Sequence, residues 1–324
     1  MPAGNGHSSS PHDAIDLRFV APPSALRSRT RTARRSSRLI PLGLLLLTVL
    51  STMYVGALYA MAYDAGRAPF SPDDNLLLPV FSEPALLLMG LPFSFTLMGI
   101  LLAHEMGHYF ACRYYRITAT VPYFIPFPSI IGTLGAFIRI RSPIVNRKAL
   151  FDVGLAGPIV GFLFALPALI VAVAYSKIAP GALAESMIAF GDPPLVRLVS
   201  VLLRPEAPTG DLLLHPVGRA AWVGLFATAL NLLPAGQLDG GHVVYALSSR
   251  WHRRISLIVA LAIAPMGFLW FGWTVWAALL LMFGFRHPVL LDRYDPLDRK
   301  RRLWAAIALV IFLLCFTPMP LSQQ

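Results

Sequence analysis

Two histidines and a glutamate, His104-Glu105-Met106-Gly107-His108, stand inside an almost unbroken apolar run from Ser82 to Tyr115. Histidines four apart lie on one face of a helix, one above the other, so both imidazoles can reach one metal ion. Glu105 between them is placed to take a proton from a water that such a metal activates, which is the logic of an H-E-x-x-H zinc site. The setting sharpens this reading. Ionisable side chains at bilayer depth cost a few kcal/mol or more, so a cluster of them in an apolar run points to function.

Two histidines leave a catalytic zinc site one protein ligand short. Cys112 lies four residues beyond His108 on the same face, but a straight helix would put it about 12 Å from His104 along the axis. A second polar constellation sits in another apolar stretch: Asn231-Leu232-Leu233-Pro234-Ala235-Gly236-Gln237-Leu238-Asp239-Gly240-Gly241-His242. Asp239 offers a hard anionic oxygen from a different helix, flanked by glycines that allow close backbone approach, and is the expected third ligand. Asn231 is a candidate to stabilise developing negative charge or to position substrate, with a helix-breaking or interhelical role as its alternative. His242, three residues past Asp239, is a lesser candidate for a supporting role beside the metal.

Elements must carry these residues to one place. The 324 residues are 56% hydrophobic and only 13% charged, where a soluble domain carries about 25% charged residues. This predicts a polytopic, all-α membrane protein with six or seven transmembrane helices. The net charge of +11 resides mainly in tails and short loops, so topology explains it and no nucleic acid is expected. Two cysteines, Cys112 and Cys315, exclude a disulfide framework.

Residues 1–38 carry seven arginines against Asp13 and Asp16 and read as a disordered basic cytoplasmic tail. The membrane domain is expected over 39–318, with its core at 82–247 and a short tail at 319–324. Leu39–Tyr63 is the first span. Residues 82–113 form the second, with room for a kink at Pro92, and residues 149–175 the third, with Gly154, Gly157 and Gly161 at a spacing for close helix approach. Pro194–Leu203 reads as an amphipathic segment. Residues 218–247 form a broken fourth span, and 255–285 a short helical hairpin bent at Pro265-Met266-Gly267. Residues 303–316 close the chain as a final helix.

Between the second and third spans, prolines, paired glycines and β-branched residues over 117–145 suggest a small β-hairpin or re-entrant segment near the active site. Gly132, Thr133, Gly135 and Ala136 are its candidate substrate-binding residues, since a strand edge there could hold a peptide in extended form.

His104-Glu105-x-x-His108 followed by Asn231-x-x-Pro234-x-x-x-Leu238-Asp239-Gly240 resembles the site-2 protease family of intramembrane zinc metalloproteases. Gly132–Ala136 and Leu155-Ala156-Gly157-Pro158 also look like that family's core, and the resemblance covers roughly residues 85–247. It implies one Zn2+ per chain on His104, His108 and Asp239, with Glu105 as catalytic acid and base. It further implies transmembrane protein substrates cut in or near the bilayer, as in regulated intramembrane proteolysis. No stretch has the length or composition of an inserted PDZ domain, and the segment from Arg286-His287-Pro288 to Arg302 looks similar to the tail of compact, PDZ-less members. The tail charges suggest a bacterial inner membrane with a cytoplasmic N-terminus, with an organelle membrane as the alternative if the first residues are a transit peptide. The alternatives are a metal-binding transporter, a non-proteolytic scaffold, or a prenyl-protein-type membrane protease, which would offer a distal glutamate in place of Asp239.

Overall fold

The computed structural model describes residues 23–70, 83–144, 146–181, 188–207, 211–283 and 296–323, and for 23–38 and residue 323 the backbone path alone. Expectations for residues 1–22 and for Arg286-His287-Pro288 lie outside the described residues. The chain divides into two compact units, Met1–Leu42 and Gly43–Gln324.

The described chain is mostly helical. In order, the helices are α1 Pro23–Asp64, α2 Leu91–Tyr114, α3 Arg147–Ala174, α4 Pro194–Leu203, α5 Pro216–Leu232, α6 Asp239–Leu247, α7 Ser249–Ile263, α8 Phe271–Phe283 and α9 Arg299–Cys315. Among the described residues, three stretches are long and apolar enough to cross a membrane: Leu39–Asp64, Pro84–Tyr114 and Arg147–Ala174. They leave large apolar side chains such as Leu46, Leu50, Phe95, Phe110, Leu163 and Phe164 exposed, as a lipid-facing surface does and a water-facing one does not. The chain is an integral membrane protein.

Several expectations shift in detail. α1 starts at Pro23, so residues 23–38, expected to be disordered, continue the first helix toward the N-terminus; their Ser, Ala and Arg content is compatible with helix. Pro92 does not kink a helix interior. A 3₁₀ turn over Pro84–Gly90 precedes α2, and Pro92 falls at the second position of the new helix, where its missing N–H costs nothing. The basic cluster Arg250–Arg254 lies inside α7, and the bend expected at Pro265-Met266-Gly267 is a 3₁₀ turn over Ala264–Phe268. The expected C-terminal tail is pinned: β6 Leu321–Gln323 pairs antiparallel with β4 Ile188–Phe190.

The irregular stretch after α2 forms β1 Tyr123–Pro126 and β2 Thr133–Phe137, paired antiparallel with a register shift after Ile125. Its turn rests on α1. Ser51 Oγ donates to the Gly132 carbonyl at 2.7 Å and Tyr59 Oη to the Ile130 carbonyl at 3.0 Å. Among the described residues there are two further short pairs: β3 Lys177–Ile178 with β5 Leu212–Leu213, and the β4–β6 pair.

At the centre α2, α3, α5 and α6 pack closely, around buried Phe93, Leu97, Ile100, Leu150, Phe151, Leu155, Trp222, Leu225 and Ala229. Glycine sets the α2–α3 distance. A Cβ on Gly107 would come within 2.6 Å of the Ala156 carbonyl oxygen, so the two backbones are nearly touching.

Candidate metal centre

The H-E-x-x-H run folds as α2 within Leu91–Tyr114, which holds no proline beyond Pro92, and it puts His104, Glu105 and His108 in the buried interior. The two imidazole rings stand edge to face with centroids 4.9 Å apart. Opposite them, α3 presents glycine where a side chain cannot fit. A Cβ on Gly157 would lie 2.1 Å from His108 Nε2, and one on Gly161 would lie 3.1 Å from His104 Nδ1. The small-residue spacing of the third span is therefore what makes room for the imidazoles.

Asp239 arrives from the far side. α5 stops at Leu232, and residues 233–238 turn the chain back before α6 begins at Asp239 itself. That first-turn position suits a carboxylate, because the helix N-terminus carries partial positive charge. Asp239 Oδ2 lies 3.3 Å from His104 Nε2 and 3.2 Å from His108 Nε2, and the two Nε2 atoms are 3.1 Å apart.

The donor set fits a metal ion. His108 Nδ1 lies 2.7 Å from the Val153 carbonyl oxygen, which only accepts, so Nδ1 carries the proton and Nε2 keeps its lone pair. That lone pair faces a carboxylate oxygen and a second imidazole nitrogen. Ligand atoms about 2.0–2.1 Å from a tetrahedral zinc are roughly 3.3 Å from one another, the spacing found here. Among the described residues His104, His108 and Asp239 are the group of three so placed.

Asn231 joins them, its Nδ2 lying 3.3 Å from His104 Nε2. Glu105 is buried, with its carboxylate in hydrogen-bonding reach of the Ile138 backbone N–H just past β2. Cys112 is not brought in; it is buried in a separate apolar cluster with Ile117, Ala149 and Val153. His242 packs on α3, where a Cβ on Gly154 would be 2.8 Å from its own Cβ.

The four hairpin candidates separate. Gly132 sits in the turn against α1, and the Thr133 hydroxyl is engaged with the Ile125 carbonyl at 2.8 Å. Gly135 and Ala136 lie in β2, paired with Ile125 and Phe124.

Two residues of the site escaped the sequence reading. The turn before Asp239 pivots on Gly236, at φ +61°, and α7 holds both of its backbone groups. Ser256 Oγ accepts its N–H at 3.0 Å, and His252 Nε2 donates to its carbonyl at 3.0 Å. His252 and Ser256 are both buried. The available signal was their i, i+4 spacing within a basic stretch, a polar pair on one face of an amphipathic helix.

A family model described as peptidase family M50 matches residues 92–271, more than half of the chain. Over 188 residues the chain is 33% identical to "Probable zinc metalloprotease EGY1, chloroplastic" of Oryza sativa subsp. japonica, covering 53% of this chain and 30% of that protein. It is 34% identical over 204 residues to the EGY2 counterpart of Oryza sativa subsp. indica, covering 60% of this chain and 35% of that protein. With the EGY2 counterpart of Arabidopsis thaliana it shares 28% identity, over 76% of this chain and 45% of that protein. The chain thus spans about a third of the length of the first two.

Proposed function

The chain belongs to peptidase family M50, and from that premise we propose that it is an intramembrane zinc metalloprotease hydrolysing a peptide bond in or near a transmembrane segment of its substrate. The observation that carries this reading is the triad of ligand atoms, 3.1–3.3 Å apart, drawn from two stretches more than 130 positions apart, with a buried glutamate on the same helix.

His104, His108 and Asp239 would hold one Zn2+, which would supply Lewis acidity to the scissile carbonyl and to the attacking water. Glu105 accepts the proton of the attacking water as its oxygen bonds to the carbonyl carbon. It then delivers that proton to the amide nitrogen as the C–N bond breaks. Asn231 directs its amide N–H groups at the oxygen that gains charge, or aligns the peptide for attack. Val153, through its carbonyl, keeps His108 in the tautomer that ligates.

The β1–β2 hairpin serves the substrate. Gly132 and Thr133 fix it to α1 and to itself, and Gly135 and Ala136 present backbone to an unwound peptide that adds alongside. Six or seven spans accommodate the long helices together with the α5–α6 broken helix, the α7–α8 pair and α9. The arginines before Leu39 favour a cytoplasmic N-terminus, and the bacterial inner membrane is the proposed location.

The test is zinc content and cleavage of a model transmembrane substrate by purified wild type, Glu105→Gln, Asp239→Ala and Cys112→Ala. Expected are one zinc per chain, loss of cleavage in the first two variants, depletion of metal in Asp239→Ala alone, and a normal Cys112→Ala. Full metal in Asp239→Ala with depletion in Cys112→Ala would overturn the ligand set. Cleavage that survives Glu105→Gln would overturn the mechanism.

A further inference from the structure

A second polar cluster ties the same helices together outside the metal centre. Asp152 of α3 is one residue before Val153, whose carbonyl fixes His108. Its carboxylate turns toward the end of α2 and the start of α9. Arg301 grips it with two hydrogen bonds, Nε to Oδ1 at 2.8 Å and Nη2 to Oδ2 at 2.5 Å. Tyr115, the C-cap of α2, donates its hydroxyl to Asp152 Oδ2 at 2.5 Å and accepts from Arg301 Nη2 at 3.1 Å. Arg301 is further held by Asp298, the N-cap of its own helix. The Tyr115 phenol is pushed up to about 12, chiefly by burial and then by the Asp152 carboxylate, so it keeps its proton at any physiological pH.

Three helices meet in this knot. α2 carries His104 and His108, α3 carries the Val153 carbonyl, and α9 supplies the guanidinium. Arg301 lies beyond residues 92–271, the part of the chain that the family model matches. A two-pronged guanidinium–carboxylate pair sets orientation as well as distance, which a lysine ammonium on the same carboxylate does not. The Arg301 and Asp152 side chains are 20% and 30% exposed, enough shielding for that geometry to matter.

We propose that Arg301 is a positioning residue for the metal centre. By fixing Asp152 and Tyr115 it sets the register of α3 against α2, and so holds the Val153 carbonyl on His108 Nδ1. This rests on the metal-centre reading above but not on the substrate. Partners that orient a metal-ligating histidine typically contribute 10–100-fold in metal affinity or activity.

The test uses the full chain purified in detergent, as wild type, Arg301→Lys, Asp152→Asn, the double variant and Tyr115→Phe. Each is loaded with Co2+ in place of Zn2+, and its visible spectrum, metal retention against a chelator and melting temperature are recorded. Arg301→Lys and Asp152→Asn are expected to weaken retention 10–100-fold and shift the visible bands, the double variant being no worse than the worse single one. Tyr115→Phe should move both readouts the same way by less than tenfold, and it carries the test should the charge variants fail to fold. Variants that melt earlier yet keep the wild-type spectrum and retention would overturn the proposal and leave a purely structural tie. None of these readouts needs a substrate, so a metal-loaded wild type that cleaves nothing sinks the protease reading without touching this one.

Discussion

Two polar clusters draw on α2, only about two helical turns apart along it, and they are built on opposite principles. In the Tyr115–Asp152–Arg301 knot each donor meets an acceptor, and opposite charges face each other. In the His104–His108–Asp239 triad, a carboxylate oxygen and two imidazole nitrogens converge at 3.1–3.3 Å inside the protein, with the Asn231 amide as the donor beside them. A self-satisfied network needs nothing from outside. A buried cluster of convergent lone pairs costs free energy until a cation joins it, so it is the cluster that implies a ligand. Polarity in a membrane interior therefore says little by itself; the pairing of donors with acceptors separates scaffold from site.

Removing the metal should affect one cluster alone, and this is the largest effect expected. A ligand present at a thousand times its dissociation constant stabilises the folded state by about 4 kcal/mol. Chelation should abolish cleavage and lower the melting temperature, and zinc should restore both. In Asp239→Ala the chelator should have no effect on melting. A wild type whose melting ignores the chelator would mean that the triad's lone pairs are satisfied without a cation, and the contrast would fail.

Room for a methyl group gives the next largest difference. Gly157→Ala drives a Cβ to 2.1 Å from His108 Nε2, whereas a Cβ on Gly99 of α2 meets nothing within 4 Å. Overpacking of this kind typically costs about 1–3 kcal/mol, and here the displaced group is a ligand. Gly157→Ala should lose metal and at least about 100-fold in activity. Gly99→Ala should be neutral or up to about 1 kcal/mol more stable, since alanine is the better helix former. Equal outcomes for the two, by metal content and melting, would break the argument that α3 is carved to fit the imidazoles.

The sequence made the triad legible because its signal is chemical: residue types at helical spacing, and an aspartate between a broken helix and two glycines. The knot was not legible. Asp152 finds its partners Tyr115 and Arg301 at 37 and 149 positions away, and no local pattern announces a pairing at that range. The same holds for His252 and Ser256, whose task is to hold one glycine's backbone. Helix boundaries failed for a local reason: Pro92 reads alike as a kink and as a start, and only the 3₁₀ turn before Leu91 decides. Glycine spacing on the third span predicted close approach but not that the approaching groups are the imidazoles.

Arg147 sharpens the contrast at a smaller scale. From the first turn of α3 its Nε and Nη2 donate to the carbonyls of Ala246 and Leu247, each at 2.9 Å, capping the C-terminus of α6. This is a satisfied contact of the knot's kind. It lies eight residues beyond Asp239, about 12 Å along the helix. Arg147→Ala should cost about 1–2 kcal/mol in stability while metal retention stays within about threefold of wild type. A tenfold loss of metal would show that any tie to these helices propagates to the centre, and the special position given to Arg301 would be lost.

The smallest effect belongs to the other end of the molecule. His215 caps α5 through Nδ1, which accepts the Val217 N–H at 3.3 Å, with its ring edge-on to Tyr63 at 5.1 Å. Burial depresses its pKa below the ordinary histidine value. The folded state thus favours the neutral ring, so the stability it contributes is fully present above the unfolded value of about 6.5 and is lost as pH falls through the folded value. A protonated Nδ1 cannot accept, and losing such a cap costs about 1 kcal/mol. Acid also strips metal by protonating its ligands, so the informative quantity is the difference in melting temperature between wild type and His215→Asn, metal-loaded, from pH 7.5 to 5.5. Asparagine caps without titrating, so the difference should grow in favour of the variant as pH falls. A constant difference would mean that the cap is indifferent to protonation, leaving acid sensitivity to the metal centre.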